Sequence, residues 1–169
     1  MEFKELAAKR YSVRQFDEKP VEQEKIDMIL ESARIAPTAA NRQPQKIKVI
    51  TSEEELKKVD VCTPCRFKAP LVFLVCYDKS ECWGRTFDSA TSGTVDASII
   101  ITHMMLQAED LGIGTTWVMH FDPKKAVEEF NLPENYIPIS FLVAGYPAVD
   151  AVPAPGHSIR KKIEEILFL

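Results

Sequence analysis

The chain has 169 residues, 46% hydrophobic and 27% charged, a balance typical of one globular domain with a substantial core. Its formal net charge of −4 and its pI near 5.5 argue against nucleic acid or an anionic membrane surface as a partner. The sequence has no apolar run as long as a membrane span and no signal peptide at its N-terminus. We therefore expect a cytoplasmic protein whose single domain covers residues 1–169.

Hydrophobic periodicity predicts about six helices interleaved with about four strands. The predicted helices cover 2–9, 22–35, a segment that starts with a capping box at Ser52, 88–111, a segment that starts at Asp122-Pro123, and 159–167. The predicted strands cover 46–51, 71–77, 113–119 and 139–144, and residues 148–157 look extended. This pattern indicates an α/β or α+β domain with a covered sheet.

Two of these elements are apolar on every side. Residues 71–77 form a continuous apolar run, which predicts a strand buried on both faces. The helix predicted over 88–111 is apolar nearly all round and should end at Gly112. Such a helix lies either inside the core of one chain or between two copies of it.

The stretch 36–45, Ala-Pro-Thr-Ala-Ala-Asn-Arg-Gln-Pro-Gln, separates a predicted helix from a predicted strand, because its prolines let neither continue. The small residues 38–40 let a flat ligand approach the backbone, and Asn41 and Gln43 each offer a donor and an acceptor. Such a loop suits a ring with alternating carbonyl and N–H groups, such as a flavin. The alternative is a plain connection rich in turn residues.

A second polar stretch, residues 10–16, follows the first predicted helix. Arg10, Ser12 and Arg14 lie within five positions, and the arginine side chain is a planar fork of donors suited to phosphate. The alternative is a solvated charge cluster.

Together the two stretches resemble the nitroreductase family of FMN-dependent enzymes. That family carries Arg-x-Ser-x-Arg/Lys-x-Phe near its N-terminus and, further along, Ala-Pro-Ser/Thr-small-x-Asn-x-Gln-Pro. The resemblance continues through Ala69-Pro70, the Leu-Gly-Ile-Gly-Thr-Thr-Trp run at 111–117, the Gly-Tyr-Pro at 145–147 and the basic pair Arg160-Lys161. It therefore covers nearly the whole chain.

The resemblance implies an α+β nitroreductase-like fold, with a mixed sheet of about four to five strands flanked by helices. It also implies a homodimer with flavin sites at the subunit interface and a C-terminal extension that packs on the partner chain. The implied cofactor is FMN, with NADH or NADPH as the electron donor. The implied cofactor-binding residues are Arg10, Tyr11, Ser12, Arg14, Pro37, Thr38, Ala39, Ala40, Asn41, Gln43, Thr116, Trp117, Val118, Met119, His120, Arg160 and Lys161.

The cofactor's chemistry suggests how these residues divide. The FMN phosphate needs cations, for which Arg10, Arg14 and Arg160 are candidates, with Lys161 as the alternative if the register differs by one residue. Residues 116–120 should cover one face of the ring, and several family members have Glu-Gly where this chain has Met119 and His120. A proton-donor role and a structural role both remain open for His120. No side chain is assigned as catalytic, because N5 of the flavin carries the chemistry.

The expected function is therefore electron transfer from NAD(P)H through bound FMN to a small-molecule acceptor, such as a nitroaromatic or a quinone. Because one flavin face serves donor and acceptor in turn, we expect a ping-pong mechanism. The alternatives are an FMN-binding store or sensor without turnover, and a different reductive reaction on the same fold.

The Cys-x-x-Cys at 62–65 has the spacing of a redox or metal motif. A four-thiolate site would also need Cys76, whose place in a buried strand argues against convergence, so we expect no metal. The family places this segment close to a flavin, and free thiols are expected in a reducing cell. We therefore expect Cys62 or Cys65 near the flavin pocket, with nearby cations that lower the thiol pKa.

Overall fold

A computed structural model describes residues 2–168 of the chain. Within these residues, five α-helices and four strands alternate along the sequence. They are α1 (Phe3–Lys9), α2 (Gln23–Ile35), β1 (Gln45–Ile50), α3 (Glu53–Cys62), β2 (Leu71–Asp78), α4 (Gly93–Asp110), β3 (Gly114–Val118), α5 (Pro123–Glu129) and β4 (Tyr136–Gly145). The α+β class expected from the sequence is confirmed.

The four strands form one sheet in the order β1-β2-β4-β3, and every neighbouring pair is antiparallel. The expectation of a mixed sheet is therefore wrong for the described strands. The parallel pairing is limited to an isolated bridge between Ser12 and Thr115 at the edge of β3. Each strand begins at the end of the sheet where its paired neighbour ends, which is the antiparallel arrangement.

Helices cover both faces of the sheet. On one face, α2 and α4 pack Ile29 and Met104 against Phe73 of β2, and all three side chains are fully buried. On the other face, Val59 of α3 and Ala126 of α5 belong to a second cluster of buried side chains around β2 and β4. β2 is thus buried on both faces, as its continuous apolar run predicts.

The predicted helix starts are confirmed for α3 and α5. The Ser52 hydroxyl accepts a hydrogen bond from the Glu55 N–H at 3.3 Å, and the Asp122 carboxylate caps α5. By contrast, α4 begins at Gly93 and not at Asp88. Asp88 is instead held by Arg85 in a hairpin turn, closed by the bridge between Gly84 and Thr91.

The direction of α4 fixes which ends of the sheet it joins. A Cβ atom at Gly93 would lie 2.3 Å from the Tyr77 ring, so the start of α4 packs closely on the end of β2. At the other end, Gly112 takes a left-handed φ of 74° and leads into β3. The end of the sheet that carries Gln45 and Tyr77 therefore lies near the N-terminus of α4. The end that carries Gly114 lies near the C-terminus of α4.

The C-terminal segment differs most from expectation. The helix predicted over 159–167 is wrong, because the structure has only a short 3₁₀ turn at Ile163–Glu165. Ile166 is 65% exposed and Phe168 is 97% exposed. Within residues 2–168 these apolar side chains gain little packing, and a short amphipathic segment with little packing does not form a stable helix.

Residues 2–168 contain neither a membrane-spanning helix nor a cluster of metal-ligating side chains. None of the helices between residues 2 and 168 combines the length and apolar character needed to cross a membrane. No group of three or more His, Cys, Asp or Glu side chains in that range is arranged to hold a metal ion.

Candidate functional site

Residues 10–16, called the Arg-rich stretch from here on, lie along the open edge of β3. The Val13 N–H donates to the Thr115 carbonyl at 3.0 Å, and the Thr116 hydroxyl donates to the Val13 carbonyl at 2.5 Å. Beyond Val13, the chain pairs with the residues that follow β4, through the bridge between Phe16 and Pro147. Backbone pairing on two sides therefore fixes the stretch that contains Arg10, Ser12 and Arg14.

A glycine permits this close approach. A Cβ atom at Gly114, the first residue of β3, would lie 2.5 Å from Cγ2 of Val13. No side chain fits in that space unless the Arg-rich stretch moves.

The arginines of this stretch differ from those elsewhere in the chain. Arg34, Arg66 and Arg85 each form a bidentate pair with a carboxylate. Within residues 2–168, Arg10 and Arg14 have no carboxylate partner, and Arg14 makes only a 3.3 Å contact with the Ser12 carbonyl. Their positive charge is therefore available to an anion.

The tail that follows β4 returns to the same place. The Tyr11 hydroxyl donates to the Ala151 carbonyl at 3.3 Å, and the Tyr11 ring lies 6.1 Å from the His157 ring. Three residues later, Arg160 donates to the carbonyls of His157 and Ile159. Lys161 is exposed. The structure thus brings the start of the tail to the Arg-rich stretch, with Arg160 close behind it in sequence.

Residues 116–120 continue from the paired part of β3. Trp117 lies opposite Leu142, and its indole N–H is buried without a hydrogen-bond partner in the described part of the chain. Val118 is buried, whereas Met119 is 64% exposed. The His120 carbonyl accepts a 2.6 Å hydrogen bond from the Thr63 hydroxyl.

This last contact places the Cys-x-x-Cys segment beside residues 116–120. The Cys62 carbonyl also accepts from the Asp122 N–H at 2.9 Å. Burial, reinforced by the negative charges of Glu129 and Asp122, raises the pKa of the Cys62 thiol to about 11. The expected lowering by cations is therefore wrong for Cys62, because Arg66 is bound to the Asp60 carboxylate.

The second predicted stretch, residues 37–43, forms a loop with an unusual backbone. Ala40, Asn41 and Gln43 all take left-handed φ angles between 50° and 52°. For residues other than glycine, this conformation costs about 1 kcal/mol each. Within the loop, Thr38 holds the turn together, since its hydroxyl accepts from the Gln43 N–H at 3.0 Å and its carbonyl from the Asn41 N–H at 3.0 Å.

A buried carboxylate on α4 holds this loop from outside. Asp96 is 1% exposed; its Oδ1 accepts from the Ala39 N–H at 2.9 Å and its Oδ2 from the Ser92 hydroxyl at 2.6 Å. The sequence analysis did not select Asp96. The available signal was a carboxylate just ahead of the most apolar helical run in the chain.

The two predicted stretches lie at opposite ends of α4. Lys9, next to Arg10, pairs with Glu109 in the last turn of α4 at 3.4 Å, whereas Ala39 contacts Asp96 in its first turn. These two carboxylates lie 13 positions apart on the helix, a rise of about 20 Å. Within one chain, Thr116 contacts the stretch that contains Arg10, Tyr11, Ser12 and Arg14, and Trp117, Val118, Met119 and His120 follow it along and beyond β3. The loop that contains Pro37, Thr38, Ala39, Ala40, Asn41 and Gln43 is held at the start of α4 instead.

A second residue that the sequence analysis left out is Arg42. It is exposed and, like the two arginines of the first stretch, has no carboxylate partner within residues 2–168. Sequence alone gives no signal for this, because only the structure shows which arginines are already paired. The arginines without carboxylate partners all lie in or beside the predicted cofactor-binding segments: Arg10, Arg14, Arg42 and Arg160.

Comparison with known proteins identifies the family of the chain. The model of the nitroreductase family matches residues 7–63 and 64–146, which is most of the chain and includes both predicted stretches. The chain belongs to the nitroreductase family. The family identification made from the sequence motifs is thereby confirmed.

Relatives of known sequence or structure agree with the family assignment. A solved nitroreductase family protein from Clostridium difficile 630 shares 43% identity, with a TM-score of 0.93 over 99% of this chain and 98% of that one. An FMN-dependent nitroreductase from Clostridium difficile R20291, 24% identical, shares the fold with a TM-score of 0.74 over 92% of this chain and 96% of that one. FMN reductase [NAD(P)H] from Bacillus subtilis is 30% identical over 81% of this chain, which spans 62% of that relative's length.

Proposed function

We propose that this chain is an FMN-dependent oxidoreductase that takes electrons from NADH or NADPH and passes them to a small-molecule acceptor, such as a nitroaromatic or a quinone. Residues 1–169 would form one FMN-binding domain. The observation that carries the proposal is the pair of arginines without carboxylate partners, fixed with Ser12 at the edge of β3 in a member of this family. The names of its relatives, FMN reductase [NAD(P)H] and FMN-dependent nitroreductase, support the same cofactor and donor.

The donors present fit an FMN phosphate. Arg10 and Arg14 supply two guanidinium groups, and Ser12 supplies a hydroxyl from the residue between them. Charge-assisted contacts of this kind are short and strong. Arg160 would add a third cation, because the tail returns to Tyr11 three residues before it.

The ring would need the second stretch, and this requires a second chain. Since residues 37–43 and the Arg-rich stretch contact opposite ends of α4, at carboxylates about 20 Å apart along the helix, one chain would not place both around one isoalloxazine ring. A two-fold homodimer would place the loop of one copy beside the Arg-rich stretch of the other and form two equivalent sites. The exposed apolar side chains of the tail, among them Ile163 and Phe168, support a C-terminal extension that packs on the partner.

At such a site the protein's part is to bind and orient. FMN, when bound, supplies the hydride chemistry between the nicotinamide donor and the acceptor. Asn41 of the loop offers a donor and an acceptor to the polar edge of the ring. No side chain here needs to act as a general acid or base, and His120 contributes its carbonyl to Thr63.

The test is spectroscopic. Purified protein should show a flavin absorbance band near 450 nm, about one FMN per chain, and should bleach when NADH or NADPH is added without oxygen. A protein that binds FMN but does not bleach with either nucleotide would be a store or sensor. A protein that binds no flavin would contradict the proposal altogether.

The kinetic form of the reaction gives a further test. If donor and acceptor use the same pocket in turn, double-reciprocal plots at several acceptor concentrations should be parallel. Intersecting lines would indicate a ternary complex and exclude the ping-pong mechanism. A panel of nitroaromatics and quinones in the same assay would identify the acceptor class.

A further inference from the structure

One hydrogen bond joins the loop of residues 37–43 to another element of the described chain. Among the hydrogen bonds of residues 37–43 to other described residues, four stay within the loop, and the fifth runs from the Ala39 N–H to Asp96 on α4. We propose that Asp96 is a positioning residue that holds this loop in the shape that contacts the flavin ring. The inference rests on the proposed function, since it assumes that the loop meets FMN.

The loop needs such a contact because its backbone does not favour the observed shape. Three of its residues, Ala40, Asn41 and Gln43, take left-handed φ angles, and none is glycine. Removal of the outside contact would let these residues relax toward the right-handed or extended region. The polar groups of Asn41 would then no longer be held in place before the cofactor arrives.

Asp96 is well placed to act as a fixed anchor. Its second oxygen accepts from the Ser92 hydroxyl at 2.6 Å, which fixes the orientation of the carboxylate. At 1% exposure, the Asp96 carboxylate is itself shielded from water. The first turn of α4 is itself held, because Gly93 packs directly on the Tyr77 ring, and the helix N-terminus favours a carboxylate at this position.

The substitution Asp96→Ala removes the anchor, and Asp96→Asn preserves an oxygen that can accept from Ala39. The matched control is Asp78→Ala. Asp78 is also a buried carboxylate, 6% exposed, and its side chain holds Ser80 and Asn135 without a hydrogen bond to residues 37–43. Its backbone N–H donates to the Pro44 carbonyl next to the loop, and alanine retains that bond. Both alanine variants lose two hydrogen-bonded partners of a buried carboxylate, and only one of them releases residues 37–43.

Three measurements separate positioning from general stability. Amide hydrogen exchange of the peptide that covers 37–43 is followed in the protein without flavin, together with the dissociation constant for FMN and the midpoint potential of the bound flavin. We expect Asp96→Ala to speed exchange in the loop, to weaken FMN binding by about tenfold and to shift the potential. Asp96→Asn should restore all three, and Asp78→Ala should leave them unchanged per folded molecule.

Unchanged loop exchange and FMN affinity in folded Asp96→Ala would overturn the proposal. If that variant does not fold, Ser92→Ala takes its place, because it frees the carboxylate to rotate and should give a smaller increase in exchange of the same peptide. No increase there would also overturn it. A failure of the proposed function looks different, since the unsubstituted protein would then bind no FMN, whereas the exchange measurement needs no cofactor.

Discussion

The two halves of the candidate site are built by different means. The Arg-rich stretch is held by backbone pairing to β3 and to the chain after β4, through Val13, Phe16 and their partners. The loop at 37–43 is held by one side chain, Asp96, against an unfavourable backbone shape. A backbone ladder tolerates side-chain substitution, whereas an anchored loop depends on a single carboxylate. Substitutions that affect ligand binding should therefore act on the two halves in different ways.

The position of the two halves at opposite ends of α4 also has a consequence for assembly. Each chain carries both halves of a site, but about 20 Å apart. In the homodimer proposed above, each site would therefore take one half from each chain. This makes the dimer testable through ligand binding as well as through mass.

The largest effect is expected when two defective chains are mixed. Arg10→Ala with Arg14→Ala disables one half, and Asn41→Ala with Arg42→Ala disables the other, so each variant alone should bind little FMN. If sites are shared between chains, each mixed dimer contains one intact site and one doubly defective site. After refolding of an equimolar mixture, about one quarter of the original sites should return. Flavin absorbance after gel filtration measures the recovery.

The control for this experiment is the same mixture without subunit exchange, which should recover no binding. Sites formed within single chains would give no recovery under either condition. Sedimentation that shows a monomer with tightly bound FMN would contradict the shared site directly.

The next largest effect is expected for a proposed phosphate contact in the Arg-rich stretch, the half of the site that is held by backbone pairing. Arg10→Ala should weaken FMN binding by about 1.5–3 kcal/mol, because a charge-assisted contact is lost. Arg34→Ala is the matched control, since Arg34 is already paired with Glu31 at 2.6 Å and lies outside both stretches. Isothermal titration of the flavin-free proteins gives both affinities. Equal affinity in the Arg10 variant would remove it from the site.

A smaller effect should appear when the backbone pairing between the Arg-rich stretch and β3 is disturbed. Gly114→Ala would push a methyl group into Val13, and overpacking of this kind costs about 1–3 kcal/mol of stability. The Arg-rich stretch should shift with Val13, so FMN binding should weaken as well. Gly156→Ala is the control, because no atom lies within 4 Å of its added Cβ. Thermal unfolding and FMN titration of both variants measure the difference, and equal values would mean that the stretch is not held by this contact.

Much of the fold was predictable because local signals carry it. The continuous apolar run of β2, the cap at Ser52 and the Pro that starts α5 each specify an element without tertiary information. The start of α4 was missed, since the pairing of Arg85 with Asp88 is a contact within a hairpin that periodicity does not register. The prediction of a final helix was wrong because its apolar side chains stay mostly exposed and gain little packing within residues 2–168.

For the candidate site, the sequence supplied the segments but not the arrangement. Family motifs selected both stretches, and the structure places them apart along α4. The role of Asp96 could not be predicted from the sequence, because it depends on a contact with Ala39, 57 residues away along the chain. The thiol of Cys62 was misjudged for a similar reason, since the sequence shows Arg66 nearby but not that Asp60 already holds it.

The smallest effect concerns the Cys-x-x-Cys segment. Its Thr63 hydroxyl donates to the carbonyl of His120, just beyond β3. With its pKa raised to about 11, Cys62 should react with iodoacetamide at pH 8 about 100-fold more slowly than an ordinary thiol, because so little of it is thiolate. Cys65 is only half-buried and should be labelled first. If the segment borders the flavin site, FMN should slow the labelling of Cys65. Mass spectrometry of labelled peptides reads both thiols. Equal labelling of Cys65 with and without FMN would place the segment outside the pocket, and fast labelling of Cys62 at pH 8 would mean that its surroundings in solution are more open than the buried position at the end of α3.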